Sequence, residues 1–340
     1  MRPSEQFDFR RSRDFGESFS GLFEFLRISF KNLYKPLLFL AGPLVLILGI
    51  IYAFLVEDFT ATFQTLVSGN MDYLDNIQSI GLKGIVFITG YCVTGAIILG
   101  IICEYIRLYL EAPEETEQVT VLILWEKIKE NFWRHIGNFL VLNFSVFLVI
   151  VPFVLLFGLV MIMQLDALIN ILVLLLLFSA FIYACIYTFS ALSLFPIMRT
   201  VEDIAVIDGV KRCFYLIKNC LWATFGFYII IGIIQAIIGF TFEIPHLVLE
   251  VLAEMSVIPQ NSDTVNGFGE YGIGFKIAFI GTQVISFASG LLFNSLSITA
   301  YSMQYFNLVE QKEGIGMMEK LEHLGLPETP AQEQDEVEEY

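Results

Sequence analysis

Two stretches of this chain, Phe139 to Met163 and Ile169 to Pro196, run without a single Lys, Arg, Asp, Glu or His. Each exceeds the about 20 apolar residues that cross a hydrocarbon core. A soluble chain of 340 residues carries roughly 25% charged side chains, whereas this one has 16%, with 56% hydrophobic residues and 33 Phe. That much apolar surface cannot be hidden inside one globule of this length, so the bilayer must act as solvent for much of it. Residues 1–20 mix Arg2, Arg10, Arg11 and Arg13 with Glu5, Asp8, Asp14 and Glu17 and hold no apolar core. A cleaved signal is therefore not expected.

The fold class that follows is all-α, a polytopic bundle of transmembrane helices. Apolar runs predict six spans at about 36–56, 84–109, 136–163, 168–195, 221–241 and 275–307. They define a single membrane domain over 18–307, preceded by an N-terminal segment 1–17 and followed by an acidic tail 308–340. Of the 19 Lys and Arg, all but Lys83 and Lys276 fall before the first span, in the tail, or at the two connections on the same side. The basic side faces the cytoplasm, so both termini are expected there and the cell inner membrane is the expected location.

The net charge of −16 has a local origin. From Glu310 to Tyr340 the acids outnumber Lys312 and Lys320 five to one, beside Pro327 and Pro330, a composition that builds no core. It reads as a solvated tail, with docking of a partner protein as the functional alternative. The outward connections are acidic too (Glu57, Asp58, Asp72 and Asp75; Asp166; Glu243, Glu250, Glu254, Asp263 and Glu270), and their spacing fits no calcium loop. They read as solvated surface. The five cysteines form no C-x-x-C pair, so neither a disulfide framework nor a zinc site is expected.

A threefold pattern recurs on the basic side. Leu22, Leu26, Ser29, Leu33 and Tyr34 align 99 positions later with Val121, Trp125, Ile128, Phe132 and Trp133. A shift of 188 aligns them with Val210, Phe214, Ile217, Leu221 and Trp222. The spacing of four, three and four is one stripe of an α-helix. Each copy is expected to be an amphipathic helix in the interface, its apolar face in the acyl boundary and its basic residues at the headgroups. The residues expected to make those interface contacts are Tyr34, Trp125, Lys127, Lys129, Trp133, Lys211, Arg212 and Trp222. The repeating unit would be an interfacial helix, a span, an outward connection and a returning span, over about 18–110, 117–195 and 204–307. These are parallel repeats.

Catalytic constellations are not legible. His135, His246 and His323 fall in separate expected environments, with His246 outside. No G-x-S-x-G, H-E-x-x-H or Walker-type loop occurs. No enzyme activity, cofactor, metal or nucleic-acid partner is expected. Gly267, Gly269, Gly272 and Gly274 lie in an outward loop that lacks the Lys and hydroxyl of a phosphate cradle. Glu104 and Arg107, three apart near the end of span two, read as a structural pair reaching the interface, with an ion relay as the alternative. The last span carries a small and polar stripe that includes Thr282, Ser286, Gly290 and Asn294. Helix packing explains such a stripe; a path for a substrate is the other reading. The expected function is a component or scaffold of a membrane complex, with a transporter or lipid-handling protein as the alternative.

Two stretches carry a resemblance. One is Phe195-Pro196-Ile197 followed by Gly209 to Trp222. The other is Tyr301 to Gly314, ending Tyr305-Phe306-Asn307-Leu308-Val309-Glu310-Gln311-Lys312-Glu313-Gly314. Together they resemble a diffuse group of prokaryotic multi-span proteins that includes the membrane domain attached to some glycerophosphodiester phosphodiesterases. The resemblance implies a bacterial membrane protein acting beside another protein. The phosphodiesterase domain of that group has no counterpart here, so it implies no catalysis.

Overall fold

The computed structural model describes residues 7–67, 73–111, 119–163, 166–256 and 273–318. Every regular element among them is a helix: α1 (Phe15–Pro36), a π-helical turn (Leu37–Ala41), α2 (Gly42–Val67), α3 (Tyr73–Glu111), α4 (Val121–Glu130) and α5 (Phe132–Ile162). These are followed by α6 (Ala167–Leu192), α7 (Phe195–Glu202), α8 (Val206–Ile217), α9 (Leu221–Ser256) and α10 (Ile273–Glu313). Six stretches are long and apolar enough to cross a membrane. The protein is therefore a multi-pass integral membrane protein. An even number of crossings returns the chain to the side it started from, called basal here; α1, α4, α7 and α8 lie on it. The opposite side is distal.

Local chemistry explains the starts and joins. Asp14 caps α1, its carboxylate accepting from the Glu17 backbone N–H at 2.7 Å while the Glu17 carboxylate accepts from the Asp14 N–H at 3.2 Å. Pro36 has no N–H to give to the helical ladder. The chain absorbs the missing bond as the π turn and continues, so residues 15–67 form one helical stretch. Thr120 caps α4, and Asp203 closes α7 in the left-handed conformation at φ 50°, which short polar side chains tolerate.

The helices overrun the expected spans. α2 continues to Val67, α3 begins at Tyr73, and α9 and α10 cover 36 and 41 residues. At about 1.5 Å per residue α9 is about 54 Å long, well beyond a core of about 30 Å. Much of what reads as distal connection is therefore helix, and Glu243 and His246, expected in a loop, lie on α9. The tail boundary moves as well. α10 runs to Glu313, and Lys312 Nζ donates to the carbonyls of Tyr215 and Lys218, closing the end of α8. Gly267, Gly269, Gly272 and the tail beyond 318 lie outside the described residues.

Packing is concentrated on the basal side. Residues 94–106 of α3 and 295–309 of α10 are buried almost without a break, while the distal halves of α3, α5, α6 and α9 expose Leu82, Ile85, Leu155, Leu176 and Phe240. In hydrocarbon no hydrophobic force draws apolar helices together, so contact there depends on close fit and hydrogen bonds. The α5–α6 hairpin illustrates this. Its distal part pairs Phe153 with Phe181, and only its basal end reaches α8 and α9 through Tyr187 and Phe189.

α1 corrects the expected picture of an interfacial helix. Leu22, Phe25 and Leu33 are fully buried in protein, not turned to an acyl boundary. Residues 7–13 strap over them: Phe9 packs edge-on against Phe25 and tilted against Phe306, the Phe7 N–H donates to the Tyr109 hydroxyl at 2.7 Å, and the Arg13 N–H donates to Asn307 Oδ1 at 2.9 Å. Segment 1–17 is thus structured from residue 7 and belongs to the membrane domain. α4 and α8 face both ways, with Ile128 and Ile217 inward and Leu122 and Ile207 exposed.

Candidate functional site at the distal end of α10

α10 packs α9 along one side and α2 along another. Its contacts with α9 form a ladder of polar pairs: Gln304 Nε2 donates to Thr224 Oγ1 at 2.9 Å, the Ser297 hydroxyl donates to Gln235, the Ser286 hydroxyl donates to Glu243, and Thr282 Oγ1 lies 3.5 Å from His246 Nδ1. Residue numbers rise along α9 as they fall along α10, so the two helices are antiparallel. Side-chain hydrogen bonds of this kind join helices where apolar burial cannot.

On the other side, Gly49 sets the approach of α2. A Cβ there would meet Val284 Cγ1 at 3.0 Å and the Val284 carbonyl at 3.3 Å, so a larger residue would press the two helices apart by a few tenths of an ångström. One turn further, Tyr52 stacks on Phe287 with ring centroids 4.8 Å apart and planes 21° apart.

Between these two contacts lies a cleft of about 340 Å³, lined by Tyr52 of α2, Glu243 and His246 of α9, and Gln283, Ser286, Phe287, Gly290 and Leu291 of α10. At Gly290 a Cβ would meet nothing within 4 Å, so this wall is open. His246 is buried, its ring 4.7 Å from that of Phe279. Glu243 stands 22 residues past Leu221, or about 33 Å along α9, at the far boundary of a core about 30 Å thick. The arrangement can bind: it presents a carboxylate, an imidazole, a hydroxyl, an amide and aromatic faces around one space. Among the described residues no group of three or more His, Cys, Asp or Glu is placed to hold a metal ion.

Of the four residues expected on the last-span stripe, Ser286 and Gly290 line the cleft and Thr282 holds its His246. Asn294 lies one turn basal of Gly290, half-buried and outside the lining. Sequence reasoning missed Tyr52, Glu243, His246 and Gln283. The signal was present beyond Pro245, where Leu247, Val248, Val251 and Leu252 keep helical spacing, so that Glu243 and His246 share a face at i, i+3.

The expected interface residues divide. Trp133 and Trp222 are 81% and 67% exposed at the basal ends of α5 and α9, where an aromatic belt belongs. Lys129 lies over the Trp125 ring at 5.7 Å, Lys127 pairs with Glu130, and Lys211 pairs with Asp208. Tyr34 stacks on Phe30 and its hydroxyl accepts from Ser295 at 3.4 Å, facing α10. Arg212 is engaged by protein carboxylates. It turns inward and donates to both Glu313 oxygens at 3.0 Å and to Glu202 at 2.7 Å. Burial disfavours its cation, but the carboxylates outweigh that and raise its pKa above the ordinary value.

A second polar cluster lies where α3, α5 and α7 meet. Glu104 accepts from Asn131 Nδ2 at 3.0 Å and faces His135 Nε2 at 3.0 Å, with Arg134 and Arg107 at 3.5 and 3.8 Å. Arg134 also reaches Asp203 at 2.6 Å, and Arg199 donates to Asn138 at 3.1 Å. Glu104 is 1% exposed, so it does not reach the interface. Glu104, His135 and Asn138 are buried in it, and the cluster reads as structural.

The chain matches no protein-family model, no curated protein and no solved structure.

Proposed function

We propose that the protein is a carrier or lipid-handling protein whose ligand places a polar head in the distal cleft. The observation that carries this reading is the cleft itself. Its volume lies within the range of small-molecule sites, and a few convergent polar groups stand among apolar walls. Glu243 and His246 stand together in this lining at the distal boundary of the hydrocarbon, where a ligand's polar head would lie. The test is movement of fluorescent lipid analogues across vesicles reconstituted with the full chain. Because a Cβ at position 290 meets nothing within 4 Å, Gly290→Leu is expected to fill the cleft without unfolding the bundle. Movement should fall about tenfold, the loss expected for a blocked site worth about 1.4 kcal/mol. Movement equal to wild type would overturn the reading.

A second reading, a subunit of a membrane complex, is favoured by the α5–α6 hairpin, whose distal part exposes Leu155, Leu172, Leu175 and Leu176. A partner helix there, or a partner protein on the basal helices or the acidic tail, would give a stoichiometric companion in affinity purification from native membranes.

We also assign the basal side to the cytoplasm of a bacterial inner membrane, on the asymmetry of Lys and Arg, and read the order helix, span, span as a threefold repeat. In a cysteine-free background, Lys276→Cys is expected to react with an impermeant thiol reagent in intact cells and Lys211→Cys only after lysis. The reverse pattern would invert the topology.

A further inference from the structure

We infer that the distal cleft selects an organic cation, a molecule bearing an ammonium group; this rests on the reading of the cleft as a ligand site. Glu243 is the one formally charged residue in the lining. Its carboxylate accepts the Ser286 hydroxyl, a neutral donor, and His246, also titratable, stands in the same lining. Among the described residues no Lys or Arg pairs with Glu243. On the same side of the membrane Lys83 is taken by Asp58 at 2.5 Å. Lys276 stands ten residues from Ser286, about 15 Å along α10. A ligand cation would give this carboxylate the partner of opposite charge that Lys83 and Lys276 do not supply.

The rest of the lining fits the same chemistry. Tyr52 and Phe287 form a stacked aromatic pair against the cleft, and the faces of such rings attract ammonium groups. A phosphate or carboxylate headgroup would meet Glu243 as a like charge. A metal ion would find only Glu243 and His246 as strong ligands in the lining. The volume of about 340 Å³ is roughly eleven times the share of a water molecule in the liquid, enough for an ammonium group with a short stem.

The test uses the full chain in nanodiscs and two probes of nearly the same shape, choline and its uncharged carbon isostere 3,3-dimethyl-1-butanol. Wild type is expected to bind choline about tenfold more tightly than the isostere. Glu243→Gln, which keeps an acceptor for Ser286, is expected to bind the two alike, and Gly290→Leu to bind neither. Equal binding of both probes by wild type would overturn the cation inference while leaving the cleft a ligand site. Binding of neither would overturn it too. If lipid movement were then also insensitive to Gly290→Leu, the proposed function would fall with it. The wild-type comparison decides the matter even if Glu243→Gln does not fold.

Discussion

Replacing Glu104 with Ala will destabilise the folded protein by about 3–5 kcal/mol, the range for breaking one side of a buried ionic network. The carboxylate is 1% exposed and His135 is fully buried. A carboxylate can only accept, so the His135 Nε2 facing it at 3.0 Å donates. With Glu104 gone, His135 loses that acceptor, Asn131 Nδ2 keeps only the Lys127 carbonyl at 3.3 Å, and Arg134 loses one of its two carboxylates. There is little reserve, because Arg134 Nε and Nη2 and His135 Nδ1 have no hydrogen-bond partner even in the intact cluster. Glu104→Gln keeps an acceptor and loses the charge, so its thermal midpoint in detergent should lie between those of wild type and Glu104→Ala. A Glu104→Ala midpoint equal to wild type would show that the cluster contributes nothing to stability.

Gly95→Ala is expected to cost about 1–3 kcal/mol, as overpacking does. A Cβ on Gly95 would lie 2.1 Å from Phe139 Cε2 and 2.3 Å from Cζ, closer than carbon atoms approach. The Phe139 ring is only 6% exposed and is held against Tyr91, with centroids 5.5 Å apart. It cannot swing clear, so α3 and α5 must separate where they carry Glu104 and His135. Phe139→Leu removes the ring edge and should rescue part of the loss. The double mutant is expected to depart from additivity by about 0.5–3 kcal/mol. Simple additivity, measured by the same thermal midpoints, would place the cause elsewhere. The Ala variant also separates fit from propensity, since Ala favours helix over Gly by about 1 kcal/mol and an open site would gain stability from the change.

Much of the architecture was legible because membrane crossing is a local property. The uncharged runs around Val151 and Leu175 name their spans with no knowledge of their neighbours. Span ends were less legible. Helices extend past the hydrocarbon boundary wherever backbone bonds continue, which is why Val67, Tyr73 and Glu243 proved helical. The stripe through Thr282, Ser286 and Gly290 was visible as a stripe, but nothing in its spacing named its partners.

The sequence by itself determined an all-helical chain with six crossings and a small polar face on the last helix, since rise per residue and side-chain hydropathy depend only on neighbours along the chain. Tertiary structure alone decided that Leu22 and Leu33 face protein, that Arg212 turns inward to Glu313, and that Glu104 meets His135. It also decided that Tyr52 and Glu243 flank the polar stripe of α10. Each of these depends on how one helix is rotated and shifted against another. A residue's direction changes by about 100° with every step along a helix, so contacts between distant helices are set by packing, here by the close approach at Gly49 and the polar ladder between α9 and α10.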